Sequence, residues 1–123
     1  MAIKNILIVD DSPTERAYLS DIVTKAGYNA ILAESGEEGL AKARTKLPDL
    51  ILLDVIMPGI SGFETTRALQ KEAATKHIPI FICTTKDQAT DKVWGMRQGA
   101  THYIVKPVQA EDLLAKVKAI KKA

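Results

Sequence analysis

The sequence predicts an α/β fold: one parallel, five-stranded sheet with helices on both faces. Three observations predict it. Five short apolar runs recur along the chain, each separated from the next by a stretch with helical spacing of its apolar residues. The stronger runs are continuous rather than alternating, the pattern of strands buried on both sides. Serine, proline and glycine sit where helices start and stop. Strand–helix alternation with short connections implies right-handed crossovers and a parallel sheet.

Ile6-Leu7-Ile8-Val9 is the first strand. Ser12-Pro13-Thr14-Glu15 opens the first helix: serine as N-cap, proline in the first turn, and glutamate three residues on to complete a capping box. Leu19, Ile22, Val23 and Ala26 form its apolar stripe, and Gly27 stops it. Ala30-Ile31-Leu32-Ala33 is a weaker second strand. Ser35-Gly36-Glu37-Glu38 is a second capping box, Leu40, Ala43 and Leu47 give that helix its stripe, and Pro48 closes it. Leu50 to Leu53 is the third strand, ending at Asp54. Ser61-Gly62-Phe63-Glu64 is a third box, opening a helix to about Ala74. Ile80-Phe81-Ile82-Cys83 is the fourth strand, the stretch from Thr85 to Gln98 contains the fourth helix, and Gly99 stops it. Tyr103-Ile104-Val105 is the fifth strand, and Leu113, Val117 and Ile120 mark the last helix. Local pattern does not fix strand order; five βα units point to the flavodoxin-like order 2-1-3-4-5.

A chain of 123 residues, 46% apolar and 26% charged, fits a single domain spanning residues 1–123, able to bury its own core. A formal charge of +2 argues for neither a nucleic-acid nor a membrane partner. Lys116, Lys118, Lys121 and Lys122 read as the wet face of the last helix. One cysteine, Cys83, permits no internal disulfide and reads as a small buried hydrophobe in a reducing interior. No apolar run approaches the ~20 residues of a membrane span, and no leader peptide is visible, so a cytoplasmic domain is expected.

In open α/β sheets, ligands gather beyond the carboxyl ends of the strands, at the switch in strand order. The residues that follow the apolar runs are therefore the candidates. They are Asp10 and Asp11 after the first, Asp54 after the third, Thr84 and Thr85 after the fourth, and Lys106 and Pro107 after the fifth. Glu34 follows the second, which this order places at the sheet edge. Three carboxylates converging on one rim favour a bound cation. Oxygen ligands without His or Cys suit Mg²⁺; His77 and His102 lack ligand spacing. A lysine and a hydroxyl beside such a cation are the parts that stabilise a transferring phosphoryl group, with Asp54 as the nucleophile.

Taken together and in order, Ile8-Val9-Asp10-Asp11-Ser12, Leu53-Asp54-Val55-Ile56-Met57-Pro58-Gly59, Gly62, Thr84, Gly99-Ala100 and Tyr103-Ile104-Val105-Lys106-Pro107 resemble the receiver domains of two-component response regulators over essentially the whole chain. The resemblance implies that Asp54 is the phosphoacceptor, and that Asp10, Asp11, Asp54 and the backbone carbonyl of Ile56 handle Mg²⁺. It implies that Thr84 and Lys106 contact the phosphoryl oxygens, that the Lys106-Pro107 bond is cis, and that Thr84 and Tyr103 form the switch. The side chains of Ile56 and Lys86, two residues beyond Asp54 and Thr84, are expected near the phosphoryl group, tuning its lifetime. Asp10-Asp11-Ser12-Pro13-Thr14-Glu15, Thr84-Thr85-Lys86-Asp87-Gln88 and the run from Asp91 to Ala100 look like the PilH type, single-domain regulators of the chemotaxis-like system governing type IV pili and twitching motility.

The expected function is thus a receiver without an output domain, phosphorylated by a histidine kinase. It would change the affinity of the face built from the fourth helix, fifth strand and fifth helix for a downstream protein, acting as a monomer or weak dimer. It is not expected to be an enzyme beyond its own phosphorylation and dephosphorylation. Two alternatives share parts of this site: a phosphate sink that drains the kinase, and an aspartate-nucleophile phosphatase or phosphotransferase. The latter class commonly carries a second acid two residues after the nucleophile, where this chain has Ile56. A flavin module on the same fold is disfavoured by carboxylates in the first loop, where a cofactor phosphate needs amides or basic groups. Trp94 is by default a core residue of the fourth helix, with a partner anchor as the alternative.

Overall fold

The computed structural model describes residues 3–120. Strands β1 (Asn5–Val9), β2 (Asn29–Ala33), β3 (Leu50–Leu53), β4 (Ile80–Thr84) and β5 (His102–Val105) alternate with helices α1 (Pro13–Lys25), α2 (Gly36–Lys46), α3 (Gly62–Lys71), α4 (Ala89–Arg97) and α5 (Ala110–Lys118). The sheet runs β2-β1-β3-β4-β5, all parallel, as expected. The order reverses between β1 and β3, so the carboxyl ends of those two strands border the crevice where such folds bind ligands.

Each continuous apolar run divides its side chains between two cores because successive strand residues face opposite ways. Ile6, Ile8, Leu50, Leu52, Phe81 and Cys83 meet Leu19, Ile22 and Val23 of α1 and Leu113 and Val117 of α5. Leu7, Val9, Ile51, Leu53 and Ile80 meet Ala43 of α2 and Leu69 of α3. A smaller cluster of Val55, Ile82 and Ala100, with Phe63 and Tyr103 against it, lies at the end of the sheet near α4. Ile120 packs against the first core; Lys121 and Lys122 lie outside the described residues.

Several boundaries differ from the sequence expectation. Helix α3 stops at Lys71 rather than near Ala74, because Glu72 turns to extended backbone and the Thr75 hydroxyl donates to the Leu69 carbonyl at 2.7 Å. Leu47 belongs to no buried stripe. It is the left-handed cap of α2 (φ 46°) and lies exposed, because Pro48 ends the helix there. Ala26 caps α1 in the open, and Gly27 makes the positive-φ turn (98°). Trp94 is corrected as well: it stands 46% exposed on α4 beside Val93 and Met96, not in the core.

Only one of the three serine boxes closes. At α3, Ser61 accepts from the Glu64 N–H and Glu64 accepts from the Ser61 N–H. At α2, Ser35 accepts from the Glu38 N–H, but Glu38 accepts from the Glu34 N–H instead. At α1, Ser12 accepts from the Glu15 N–H, while the Ser12 N–H donates to Asp10 Oδ1 at 2.9 Å. Asp10 has taken the place that Glu15 was expected to fill.

Candidate functional site

The rim residues are placed by the sheet itself. The Asp54 N–H donates to the Val9 carbonyl and the Lys106 N–H to the Thr84 carbonyl, so each candidate loop leaves the sheet beside its neighbour. Asp10, Asp11 and Asp54 each turn an oxygen inward, and the three oxygens lie within 4.8 Å of one another. Asp10 is buried, Asp54 half-buried and Asp11 exposed. Asp54 is oriented by its own backbone: its Oδ1 accepts from the N–H groups of Val55 (2.7 Å) and Ile56 (3.3 Å). Gly62 lets α3 come this close. A Cβ there would stand 2.1 Å from the Asp54 carbonyl oxygen.

Lys106 crosses the cluster. Its side chain is 7% exposed, and its ammonium lies 2.7 Å from Asp10 Oδ2, 3.3 Å from Asp54 Oδ2 and 3.8 Å from Glu15 Oε2. Burial alone would lower its pKa. The hydrogen bond it donates to Asp10 and the charges of Asp54, Asp10 and Glu15 outweigh that and raise it above the ordinary lysine value. The Lys106-Pro107 bond is cis, as the family resemblance implies.

Thr84 is fully buried at the end of β4, and its Oγ1 accepts weakly from the Lys86 N–H at 3.4 Å. Tyr103 donates its hydroxyl to the Lys86 carbonyl at 2.9 Å, and its ring lies over Gly95 of α4. The Tyr103 phenol is pushed up to about 12 by burial, with the nearby carboxylates of Asp91, Asp54 and Asp87 adding to it. Hydrogen bonds therefore tie Thr84 and Tyr103 to one residue, Lys86, of the loop before α4. The Lys86 side chain itself runs to Asp91 (3.7 Å), in the first turn of α4. That ion pair, rather than the acid cluster, engages its charge. The Ile56 side chain stands 54% exposed.

Two residues with roles at this rim were not picked out from the sequence. Arg16, on the first turn of α1, donates to the Asp10 carbonyl at 2.7 Å and pairs with Glu34 at 3.1 Å, fastening the loop after β1 to the end of β2. Glu15 has the spacing of a capping residue and instead faces Lys106. An arginine and a glutamate one turn beyond an Asp-Asp pair were the available signal; their partners are distant in sequence.

Three carboxylate donors, two of them sharing one ammonium, fit a hard divalent cation such as Mg²⁺, which takes few protein ligands. Among the described residues this is the acid group whose oxygens converge so closely, and no helix is long and apolar enough to cross a membrane.

Comparison with known proteins agrees with this geometry. The chain is 53% identical over 115 residues to Protein PilH of Pseudomonas aeruginosa, covering 94% of this chain and 95% of that one. It is 41% identical over 117 residues to the alkaline phosphatase synthesis transcriptional regulatory protein PhoP of Bacillus subtilis, of which it spans 48%. Among solved structures, chemotaxis protein CheY4 of Vibrio cholerae superposes with a TM-score of 0.90 at 37% identity, over 98% of this chain and 100% of that one. Residues 6–118 match the family described as the response regulator receiver domain. With its parallel sheet, its rim of acids around one lysine and these relatives, the chain belongs to the response regulator receiver domains of two-component signalling.

Proposed function

We propose that this receiver accepts a phosphoryl group on Asp54 from a histidine kinase, in the presence of Mg²⁺, and passes the change to a protein partner. The observation that carries the proposal is the placement of Asp54. Its carboxylate is aligned by two backbone N–H groups, shares Lys106 with Asp10, and lies among three inward oxygens within 4.8 Å. Asp10, Asp11 and Asp54, with the Ile56 carbonyl, would hold the cation, which neutralises charge on the phosphoryl group. An Asp54 oxygen attacks phosphorus, the bond from phosphorus to the donor's imidazole nitrogen breaks, and the donor histidine leaves neutral after taking up a proton. Water later attacks the same phosphorus, the bond to Asp54 breaks, and inorganic phosphate departs.

Lys106 supplies a buried positive charge for the incoming oxygens, and the Thr84 hydroxyl has a proton to donate to them. Thr84, Lys86 and Tyr103 form a hydrogen-bonded chain, so a shift of Thr84 toward Asp54 breaks the bond at Lys86 and frees Tyr103 to turn. The readout is then the face of α4, β5 and α5, where Trp94 and Tyr103 supply aromatic surface. This is a charge event read by a two-state element. Lys86 and Ile56 would tune the lifetime: Ile56 by shielding the acyl phosphate, Lys86 by releasing its charge from Asp91. The likeness to PilH supports a partner in pilus motility signalling, and a free, buried Cys83 suits a cytoplasmic setting. Incubation with Mg²⁺ and acetyl phosphate should add one phosphoryl mass to the wild type and none to Asp54→Asn. An unmodified wild type, beside a control receiver that reacts, would end this reading.

A further inference from the structure

Glu15 is in an unexpected place. Its backbone N–H still serves the Ser12 cap, but the return bond of a capping box is missing because Asp10 Oδ1 holds the Ser12 N–H. The Glu15 carboxylate, 36% exposed, instead sits 3.8 Å from the Lys106 ammonium, at the outer edge of the acid cluster. That distance is longer than the 2.7 and 3.3 Å to Asp10 and Asp54, so Glu15 is the most loosely held of the three partners and is in reserve for a tighter pair.

The reserve has a use if the site binds a cation, and the inference rests on that reading. Asp10 Oδ2 and Asp54 Oδ2 are the oxygens Lys106 now occupies. The same two carboxylates belong to the oxygen cluster suited to a divalent ion. An ammonium and a dication cannot both hold them at full strength, since like charges repel strongly where water is scarce. Lys106 must loosen its grip on Asp10, and its side chain, 7% exposed, has little open solvent to move into. Glu15 is the carboxylate within one small side-chain movement.

We propose that Glu15 is a positioning residue, which receives the Lys106 ammonium when Asp10 and Asp54 turn to a divalent cation. It keeps Lys106 charged, close and ready to meet the phosphoryl oxygens. Because the Glu15–Lys106 pair tightens as the cation enters, Glu15 raises cation affinity through Lys106, beyond the general attraction of one more carboxylate.

A double-mutant cycle tests this on the full chain, with Mg²⁺ binding read by calorimetry. Glu15→Gln should weaken Mg²⁺ binding by about two- to fivefold, the range for a partly exposed ion pair. In the Lys106→Met background the same substitution should have a much smaller effect. Thermal unfolding of each variant without Mg²⁺ checks that it is folded, and Glu15→Asp, with a shorter reach, should restore only part of the affinity. An equal loss in both backgrounds would show that Glu15 acts only as a distant charge and would overturn the inference, as would no loss in either. A wild type that binds no Mg²⁺ would instead remove the cation reading beneath it.

Discussion

Gly62→Ala is the most informative substitution outside the acid cluster. The added Cβ would meet the Asp54 carbonyl oxygen at 2.1 Å, the Val55 Cα at 2.7 Å and the Asp54 carbonyl carbon at 2.8 Å. Real Cβ atoms essentially never come within 3.0 Å of such neighbours, so about 0.9 Å must be found between the start of α3 and the turn after β3. All three obstacles are backbone, and no side chain can swing aside. The Gly62 N–H also donates to the Val55 carbonyl at 2.9 Å, which ties the two segments together. Overpacking of this kind costs about 1–3 kcal/mol, a fall of roughly 3–15 °C in Tm for a domain of this size. Since Asp54 is aligned by the N–H groups of Val55 and Ile56, the same shift moves the nucleophile. A misplacement near 1 Å slows a positioned reaction by on the order of 10²-fold. The assay pairs thermal unfolding with the rate of phosphorylation by acetyl phosphate and Mg²⁺. Gly27→Ala is the control: its φ is 98°, but a Cβ there meets nothing within 4 Å. It should cost about 1 kcal/mol from backbone strain alone, with the phosphorylation rate unchanged. A Gly62→Ala protein that phosphorylates at the wild-type rate would refute the link between this close approach and the alignment of Asp54.

Three further expectations follow from the same geometry. Gly95→Ala would place a Cβ 2.8 Å from the Tyr103 ring and 3.1 Å from Ile82 Cδ1; the ring should turn away and lose its bond to the Lys86 carbonyl, which tyrosine NMR signals would report. Unchanged Tyr103 signals would mean the ring does not rest on α4. The Cys83 thiol is pushed up to about 12 by burial, so native protein should resist alkylation at pH 8 and react only on unfolding; rapid native labelling would contradict its place between sheet and helices. Lys106 titrates above its ordinary value and Tyr103 near 12, so the folded state holds protons that the unfolded chain releases earlier. Their stabilisation is full below the unfolded values of about 10 and is lost as pH rises through the folded ones. Stability flat from pH 8 to 12 would argue against both contacts.

Most of the fold was legible because continuous apolar strands and helix-stop residues are local signals. Ile6 to Val9 and Leu50 to Leu53 could hardly be anything but buried strands, and once the order was set the rim residues fell together. What misled were residues whose roles depend on distant partners. Ser12 and Glu15 have the spacing of a capping box, but Asp10 bends back to take the Ser12 N–H, a contact that spacing cannot reveal. Leu47 has helical spacing from Ala43, yet Pro48 turns it out of the helix. Trp94 is large and apolar on a nine-residue helix that buries only Gly95, so its surface position depends on how α4 sits against β5. Arg16 binds the carbonyl of Asp10, and a backbone acceptor leaves no trace in the sequence.

The central claim is that Asp54, and no other acid on the rim, takes the phosphoryl group. Tandem mass spectrometry of wild-type protein after brief treatment with Mg²⁺ and acetyl phosphate tests it most directly. The account predicts a single phosphoryl group mapped to Asp54. A phosphoryl group on Asp10, Asp11 or Glu15, or none on the protein at all, would contradict it.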